Sequence, residues 1–100
     1  MRPYRFLTPA SRDLTDVLEY LYLNSPAAAD RFLTALDSRL RLLADHPFTG
    51  HQRKEFGHDD LRYITFGAYI IAYYPETKPI TIAALLHGSR DLAALLKELQ

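Results

Sequence analysis

The stretch Tyr69-Ile70-Ile71-Ala72-Tyr73-Tyr74 decides the fold of this sequence. Successive side chains of a strand point to opposite faces of the sheet, and here both alternating sets are apolar or aromatic, with no charge. β-Branched and aromatic residues are also the residue types that favour strands. The sequence therefore predicts a strand in the middle of a sheet, with apolar side chains on both faces.

Two further predicted strands lie on either side of this one. Residues 61–66 precede it across Gly67-Ala68, and residues 80–87 follow it after the segment 75–79, which begins and ends with proline. Connections this short join antiparallel strands and leave no room for a crossover helix. We therefore predict a three-stranded antiparallel meander with Tyr69–Tyr74 at its centre.

The first half of the chain predicts a short strand and two helices. Residues 4–7 alternate as an edge strand does, and Thr8-Pro9 is an N-cap followed by a proline at the first helical position. Ser25-Pro26 repeats that signal after a first helix ending near Asn24, and the second helix stops at Asp45 before His46-Pro47. A connection this short makes the two helices an antiparallel hairpin. Their apolar stripes and the two inner strands give the predicted core, which includes Leu14, Val17, Leu18, Leu21, Phe32, Leu36, Leu40, Ile71 and Ile82.

The remaining segments complete an α+β prediction. Residues 46–60 are rich in turn formers and read as a loop held to the body by Phe48 and Phe56. After the last strand, Arg90-Asp91 begins a short amphipathic helix containing Leu92, Leu95, Leu96 and Leu99. The predicted order is β-α-α-β-β-β-α, with the helix hairpin on one face of a small, mainly antiparallel sheet.

Composition narrows the class of protein. One hundred residues, 48% hydrophobic and 24% charged, predict a single soluble domain over residues 1–100. The absence of cysteine fits a reducing compartment, and no segment has the roughly 20 apolar residues of a membrane span, so we expect a cytoplasmic protein. Twelve basic and twelve acidic residues give a net charge of +0. The chain as a whole therefore supplies no long-range attraction to nucleic acid, and we expect no direct nucleic-acid binding.

Several motifs, taken in order, resemble the ParE/RelE superfamily of bacterial toxins from toxin–antitoxin pairs. They are the Pro47 and Gly50 of His-Pro-Phe-x-Gly, Arg62 in Leu-Arg-Tyr, the strand from Tyr69 to Tyr73, and His87-Gly88-Ser89-Arg90-Asp91. The likeness covers nearly the whole chain, and the last motif is more similar to the ParE branch than to the mRNA-cleaving RelE branch. Resemblance to ParE implies a growth inhibitor that blocks DNA gyrase and is neutralised by a small DNA-binding antitoxin encoded beside it.

Three residues are candidates for chemistry or for partner binding. His87 at a strand end is either a general acid or base or a histidine bonded to its loop. Arg62 shares a strand face with Ile64 and Phe66, where an arginine is either paired at a rim or available to a partner's carboxylate. Arg90 either pairs locally with Asp91 at a helix start or is presented outward beside Arg62 and His87.

Other site chemistries find less support in the sequence. Tyr63, Tyr69 and Tyr73 alternate as the rings of a base-stacking platform do, but tyrosine is also a common strand residue, so we favour core and interface roles. No pair of histidines has the i, i+4 spacing of a helical ligand pair, and phosphate loops and cysteine nucleophiles are absent. We therefore expect no metal and no cofactor.

The predicted fold leaves one face of the sheet open, and that face predicts a partner. Ile64 and Phe66, or the alternate residues of the central strand, would expose a larger apolar area than a monomer usually tolerates. We expect an antitoxin tail to cover them, with acidic residues reaching Arg62 and Arg90. The predicted partner-binding residues are Arg62, Ile64, Phe66, Tyr69, Tyr73, His87 and Arg90.

Two classes of function remain open at this point. In the first, the protein is a binding inhibitor of gyrase and has no catalytic residues. In the second, it is a RelE-like ribosome-dependent mRNA endoribonuclease, in which Arg62 and Arg90 stabilise phosphate charge and His87 moves a proton. The balanced charge favours the first, because an enzyme that grips RNA profits from a positive surface.

Overall fold

The computed structural model describes residues 2–53, 55 and 57–88, and it contains four strands and two helices. The strands are β1 (Tyr4–Phe6), β2 (Arg62–Phe66), β3 (Tyr69–Tyr74) and β4 (Ile80–His87). Their order in the sheet is β1-β4-β3-β2, with β1 parallel to β4 and the other pairs antiparallel. The predicted meander is confirmed, with β3 between its two neighbours. The predicted C-terminal helix and Arg90 lie outside the described residues.

The turn between β2 and β3 is a two-residue hairpin that depends on glycine. Phe66 pairs with Tyr69, so Gly67 and Ala68 alone make the connection. Gly67 has a φ of +57°, in the left-handed region that side chains disfavour. A positive φ at the first central residue is what a type II′ hairpin turn requires, and such turns match the twist of the strands.

The two helices are α1 (Thr8–Asn24) and α2 (Pro26–Asp45). Ser25 caps α2 as predicted, since its hydroxyl accepts a hydrogen bond from the Ala28 amide at 3.3 Å. The predicted cap of α1 is wrong by one residue. Leu7 occupies the N-cap position there and supplies no side-chain acceptor, while Thr8 already has helical geometry.

The helix hairpin packs on one face of the sheet and forms the larger core. Leu36, Leu40, Ile71 and Ile82 are buried in this core, as predicted. Leu14, Val17 and Phe32 are half-buried against it, whereas Leu18 and Leu21 are half-buried outside it. Ala10 is the buried residue of α1 and belongs to this core.

The expectation that Ile64 and Phe66 lie on an open sheet face is wrong. Ile64 is buried in the core under the helices, and Phe66 is half-buried against that core. The ring of Phe32 on α2 meets the Phe66 ring at 5.4 Å and the Tyr69 ring at 5.7 Å, each edge to face. These residues are therefore partners of α2 within the chain.

The opposite face of the sheet is also buried in the described residues. Its cluster consists of Leu61, Tyr63, Ala72, Ala83, Ala84 and Leu86, with Leu7, Ile70 and Tyr74 packed against it. Burial raises the pKa of Tyr63 to about 12. The predicted open apolar face is thus absent from this part of the chain, and the exposed apolar surface lies elsewhere.

A β-bulge in β4 decides which side chains reach the helices. Ala72 pairs with Ala84 while the next residue, Tyr73, pairs with Ile82, so Ala83 is an extra residue in the ladder. Ile82 faces the helix side before the bulge, and Leu85 faces it afterwards. Uninterrupted alternation would have placed Leu85 and His87 on the opposite face.

The strand β1 is fastened to α2 by a polar contact. The Tyr4 hydroxyl donates a hydrogen bond to the Asp37 carboxylate, and Arg41 pairs with the same carboxylate at 2.9 Å. The bond from Tyr4 and then the bond from Arg41 lower the pKa of Asp37. The edge strand is therefore held to both the sheet and the helix layer.

Within the described ranges, no helix is long and apolar enough to cross a membrane.

Truncation of Leu36 tests the docking of the hairpin. Leu36 is 3% exposed, so Leu36→Ala should lower the free energy of unfolding by roughly 2–5 kcal/mol through lost burial and a cavity. Leu42 lies on the same helix and is 57% exposed, so Leu42→Ala should cost less than about 0.5 kcal/mol. Urea unfolding of both variants measures the difference. Equal stability of the two variants would contradict the docking.

Candidate functional site

The loop that follows α2 is held to the sheet by one buried tyrosine. Tyr73 is 0% exposed, and its hydroxyl donates to the Pro47 carbonyl at 2.7 Å and accepts from the Gly50 amide at 2.9 Å. A tyrosine hydroxyl is already protonated at neutral pH, and burial raises the pKa of Tyr73 further, so the hydroxyl is available as a donor. One side chain therefore satisfies two backbone groups of the loop.

Gly50 has no room for a side chain beside this hydroxyl. A Cβ atom there would lie 2.5 Å from Tyr73 Oη and 3.0 Å from the Tyr63 carbonyl oxygen. The following residue, His51, exchanges two backbone hydrogen bonds of 2.9 Å with Tyr63, which adds a short antiparallel bridge beside β2. The Pro47-x-x-Gly50 spacing thus serves a close approach of the loop to the sheet.

Arg62 holds the same loop from its other side. Its Nη1 donates to the Gly50 carbonyl at 2.8 Å and to the Phe48 carbonyl at 3.3 Å. Its guanidinium carbon lies 5.1 Å from the centre of the Phe48 ring, within cation–π range. The expectation that Phe48 pins the loop to the body is wrong. The ring is 55% exposed, and Tyr73 and Arg62 supply the attachment; Phe56 lies outside the described residues.

His87 lies at the opposite end of β3, beside α1. It pairs with Tyr69 across the sheet, and the two rings meet edge to face at 5.4 Å. A cleft of about 230 Å³ at this point is lined by Asp13, Asp16, Val17, Tyr20, Tyr69, Leu85 and His87. Asp13 accepts a hydrogen bond from the Leu85 amide at 3.3 Å, so α1 is tied to the strand just after the bulge. His87 therefore lies in a cleft with two carboxylates.

The candidate catalytic residues do not converge on one point. Arg62 pairs with Tyr73 and His87 pairs with Tyr69, four residues away along β3. At 3.2–3.4 Å per residue this is about 13 Å along the strands, and the two residues also lie on opposite sides of β3, about 10 Å apart across the sheet. Arg90 is outside the described residues. In the part of the chain that the structure describes, no group of three or more His, Cys, Asp or Glu side chains is placed to hold a metal ion.

Comparison with known proteins identifies the family of this chain. The family model described as ParE toxin of type II toxin-antitoxin system, parDE, matches residues 4–92. A protein of Caulobacter vibrioides named Toxin RelE3 is 36% identical over 81 residues, which cover 79% of this chain and 86% of the relative. The chain belongs to the ParE toxin family. It is a toxin of a type II toxin–antitoxin system, and its family implies a cognate antitoxin as partner.

An exposed apolar groove of this ParE-family toxin lies at the end of its helix hairpin. A groove of about 570 Å³ runs between the last turns of α1 and the first turns of α2. Leu23 is 86% exposed there, and Leu33 and Tyr22 add to the apolar lining. The carboxylates of Glu19 and Asp30 also line the groove. Among the described residues, this groove brings together exposed apolar side chains that neither face of the sheet provides.

Two residues of this site in the toxin were predicted from the sequence, but their contacts in the structure differ from the predicted ones. Tyr73 and Arg62 were predicted as partner contacts, yet the structure places both against the loop that contains Pro47 and Gly50. The sequence signal that linked Tyr73 and Arg62 to Pro47 and Gly50 was that all four lie in the motifs that resemble the toxin family. Sequence spacing gives no sign that residues 12 to 26 positions apart form one cluster, because the loop must first fold back onto β2 and β3.

Proposed function

We propose that this toxin stops growth by binding DNA gyrase and blocking replication, without cleaving RNA itself. Membership of the ParE toxin family supports a binding inhibitor. The observation that carries the proposal is the separation of Arg62 from His87 at opposite ends of β3. This separation argues against one substrate phosphate reaching both residues.

RNA cleavage by general acid–base catalysis requires a different arrangement. The proton-moving group and the cation that stabilises developing charge must both reach the same phosphate, within hydrogen-bond distance. Arg62 and His87 are separated by about 13 Å along the strands and by two strand spacings, about 10 Å, across the sheet. In addition, Nη1 of Arg62 is already bonded to two loop carbonyls. The pair is therefore poorly arranged for one phosphate.

The charges around His87 also favour a protein target. Asp13 and Asp16 line the same cleft, and carboxylates repel a phosphate backbone. The net charge of +0 provides no compensating attraction from the rest of the chain. The second candidate is the RelE-like mRNA endoribonuclease using Arg62, His87 and Arg90, which the name of the Caulobacter relative favours.

Purified toxin tests the two candidates directly. It should block supercoiling by gyrase holoenzyme and leave ribosome-bound messages intact. Because His87 has no catalytic task in a binding inhibitor, His87→Ala should change gyrase inhibition by less than about tenfold, whereas an acid–base residue contributes about 10²–10⁴-fold to a rate. Supercoiling gels and primer extension on translated messages measure the two activities. Message cleavage that disappears in His87→Ala would establish the second candidate instead.

For the antitoxin, we propose docking in the groove at the end of the helix hairpin. An amphipathic helix fits an apolar groove of this kind, with its apolar residues against Leu23, Leu33 and Tyr22. The carboxylates of Glu19 and Asp30 favour basic residues on the flanks of that helix. This differs from the sequence-based expectation of acidic antitoxin residues reaching Arg62 and Arg90.

A charge placed in the groove tests antitoxin docking. Leu23→Lys removes apolar contact area and adds a charge of the sign expected on the antitoxin, so it should weaken the complex at least about tenfold. Leu42→Lys is the matched control, because Leu42 is an exposed leucine outside the groove. Co-purification with the antitoxin encoded beside the toxin, followed by titration, gives both affinities. Equal affinities of the two variants would refute docking in this groove.

A further inference from the structure

We propose that the loop of residues 46–50, called here the Phe48 loop, is a preformed docking element whose exposed ring anchors the toxin in an apolar pocket of its target protein. The inference rests on the proposed function, because it assigns the part of the toxin that contacts gyrase. Three observations carry it: the fastening of the loop, the exposure of Phe48, and the position of Arg62 beneath its ring.

The backbone of the Phe48 loop is tied down at successive positions. The His46 carbonyl accepts from the Thr49 amide at 3.1 Å and from the Thr49 hydroxyl at 2.7 Å. The Pro47 carbonyl and the Gly50 amide are bound by Tyr73, and the Phe48 and Gly50 carbonyls by Arg62. A loop fastened in this way loses little conformational entropy when it binds.

Phe48 is the large apolar residue of this loop, and it is 55% exposed. Tyr73, Arg62 and Gly50 fix the backbone of this loop. The Phe48 ring is therefore held outward at a defined position. Rigid aromatic residues that insert into a partner's pocket are the typical anchors of protein–protein interfaces. Phe48 meets both conditions, exposure and preorganisation.

The charges at this end of the molecule identify the partner as a protein with a carboxylate beside its pocket. A guanidinium has five N–H donors, and Nη1 of Arg62 serves the loop, which leaves donors on Nε and Nη2. No carboxylate among the described residues forms an ion pair with Arg62. The exposed carboxylates of Asp45, Asp59 and Asp60 at the same end repel the many charges of a phosphate backbone more strongly than the one carboxylate beside a protein pocket.

The Phe48 loop is distant from the groove assigned to the antitoxin. The groove includes Ala29 near the start of α2, and the loop follows Asp45 at its end. Sixteen residues of helix separate these points by about 24 Å. Variants at the two ends therefore test target binding and antitoxin binding separately.

Phe48→Ala tests the anchor. It should raise the toxin concentration that half-inhibits gyrase holoenzyme at least about tenfold, as loss of an interface anchor does. Its melting temperature and its affinity for the antitoxin should stay close to those of the parent, because the ring is exposed. Leu42→Ala is the matched control, because it removes a side chain of similar exposure near the end of α2. It should change inhibition less than about twofold.

Tyr73→Phe tests whether the loop must be preformed. It keeps Phe48 and the buried ring but removes the hydroxyl that holds Pro47 and Gly50. The expected result is weaker gyrase inhibition, with a slower association rate in surface-binding kinetics, since the loop must then order on contact. An unchanged association rate would overturn the preorganised role.

Failure of the inference and failure of the proposed function are distinguishable. If the parent toxin does not inhibit gyrase, growth arrest after induction replaces the enzyme assay, because it requires no named target. Phe48→Ala toxin that arrests growth like the parent at equal protein level would overturn the inference. So would loss of binding to a single-stranded RNA oligonucleotide in Phe48→Ala, which would make the ring a base-stacking platform instead.

Discussion

The arrangement of this toxin depends most on the two hydrogen bonds made by the Tyr73 hydroxyl. It lies on the central strand, is closed off from solvent, and donates to one loop carbonyl while accepting from one loop amide. Removing a buried partner leaves such groups unsatisfied at a cost of about 1–3 kcal/mol each. Gly50 permits the contact by having no Cβ, and Arg62 closes the loop from the other side. The chain between α2 and the sheet is thereby fixed in one conformation.

The two ends of the sheet consequently have different properties. At one end, Arg62 and the Phe48 loop combine an exposed ring with a guanidinium. At the other, the bulge at Ala83 turns His87 toward α1 and the carboxylates of Asp13 and Asp16. A single active site would need these groups together. Their separation is instead suited to a toxin that presents distinct surfaces to distinct proteins, which agrees with a binding mode of inhibition.

Much of the fold could be predicted from the sequence, because local patterns specify it. Tyr69–Tyr74 is apolar on both faces, and Ser25-Pro26 starts a helix, so β3 and α2 were predicted within a residue. What covers each face of the sheet could not be predicted. Whether Ile64 and Phe66 meet the helices or solvent depends on which face α2 covers, and a bulge at Ala83 reverses the alternation that a sequence pattern assumes. The role of Tyr73 depends on a loop 23 residues earlier, and no periodicity encodes that contact.

Hydrogen exchange at the Gly50 amide tests the fastening of the loop most directly. Its acceptor is the Tyr73 hydroxyl, so the amide should exchange at least about 100-fold more slowly than in an unstructured peptide. In Tyr73→Phe that protection should fall at least about tenfold, while the Leu40 amide in the middle of α2 keeps most of its protection. A Gly50 amide in the parent toxin that exchanges as fast as in an unstructured peptide would contradict the account.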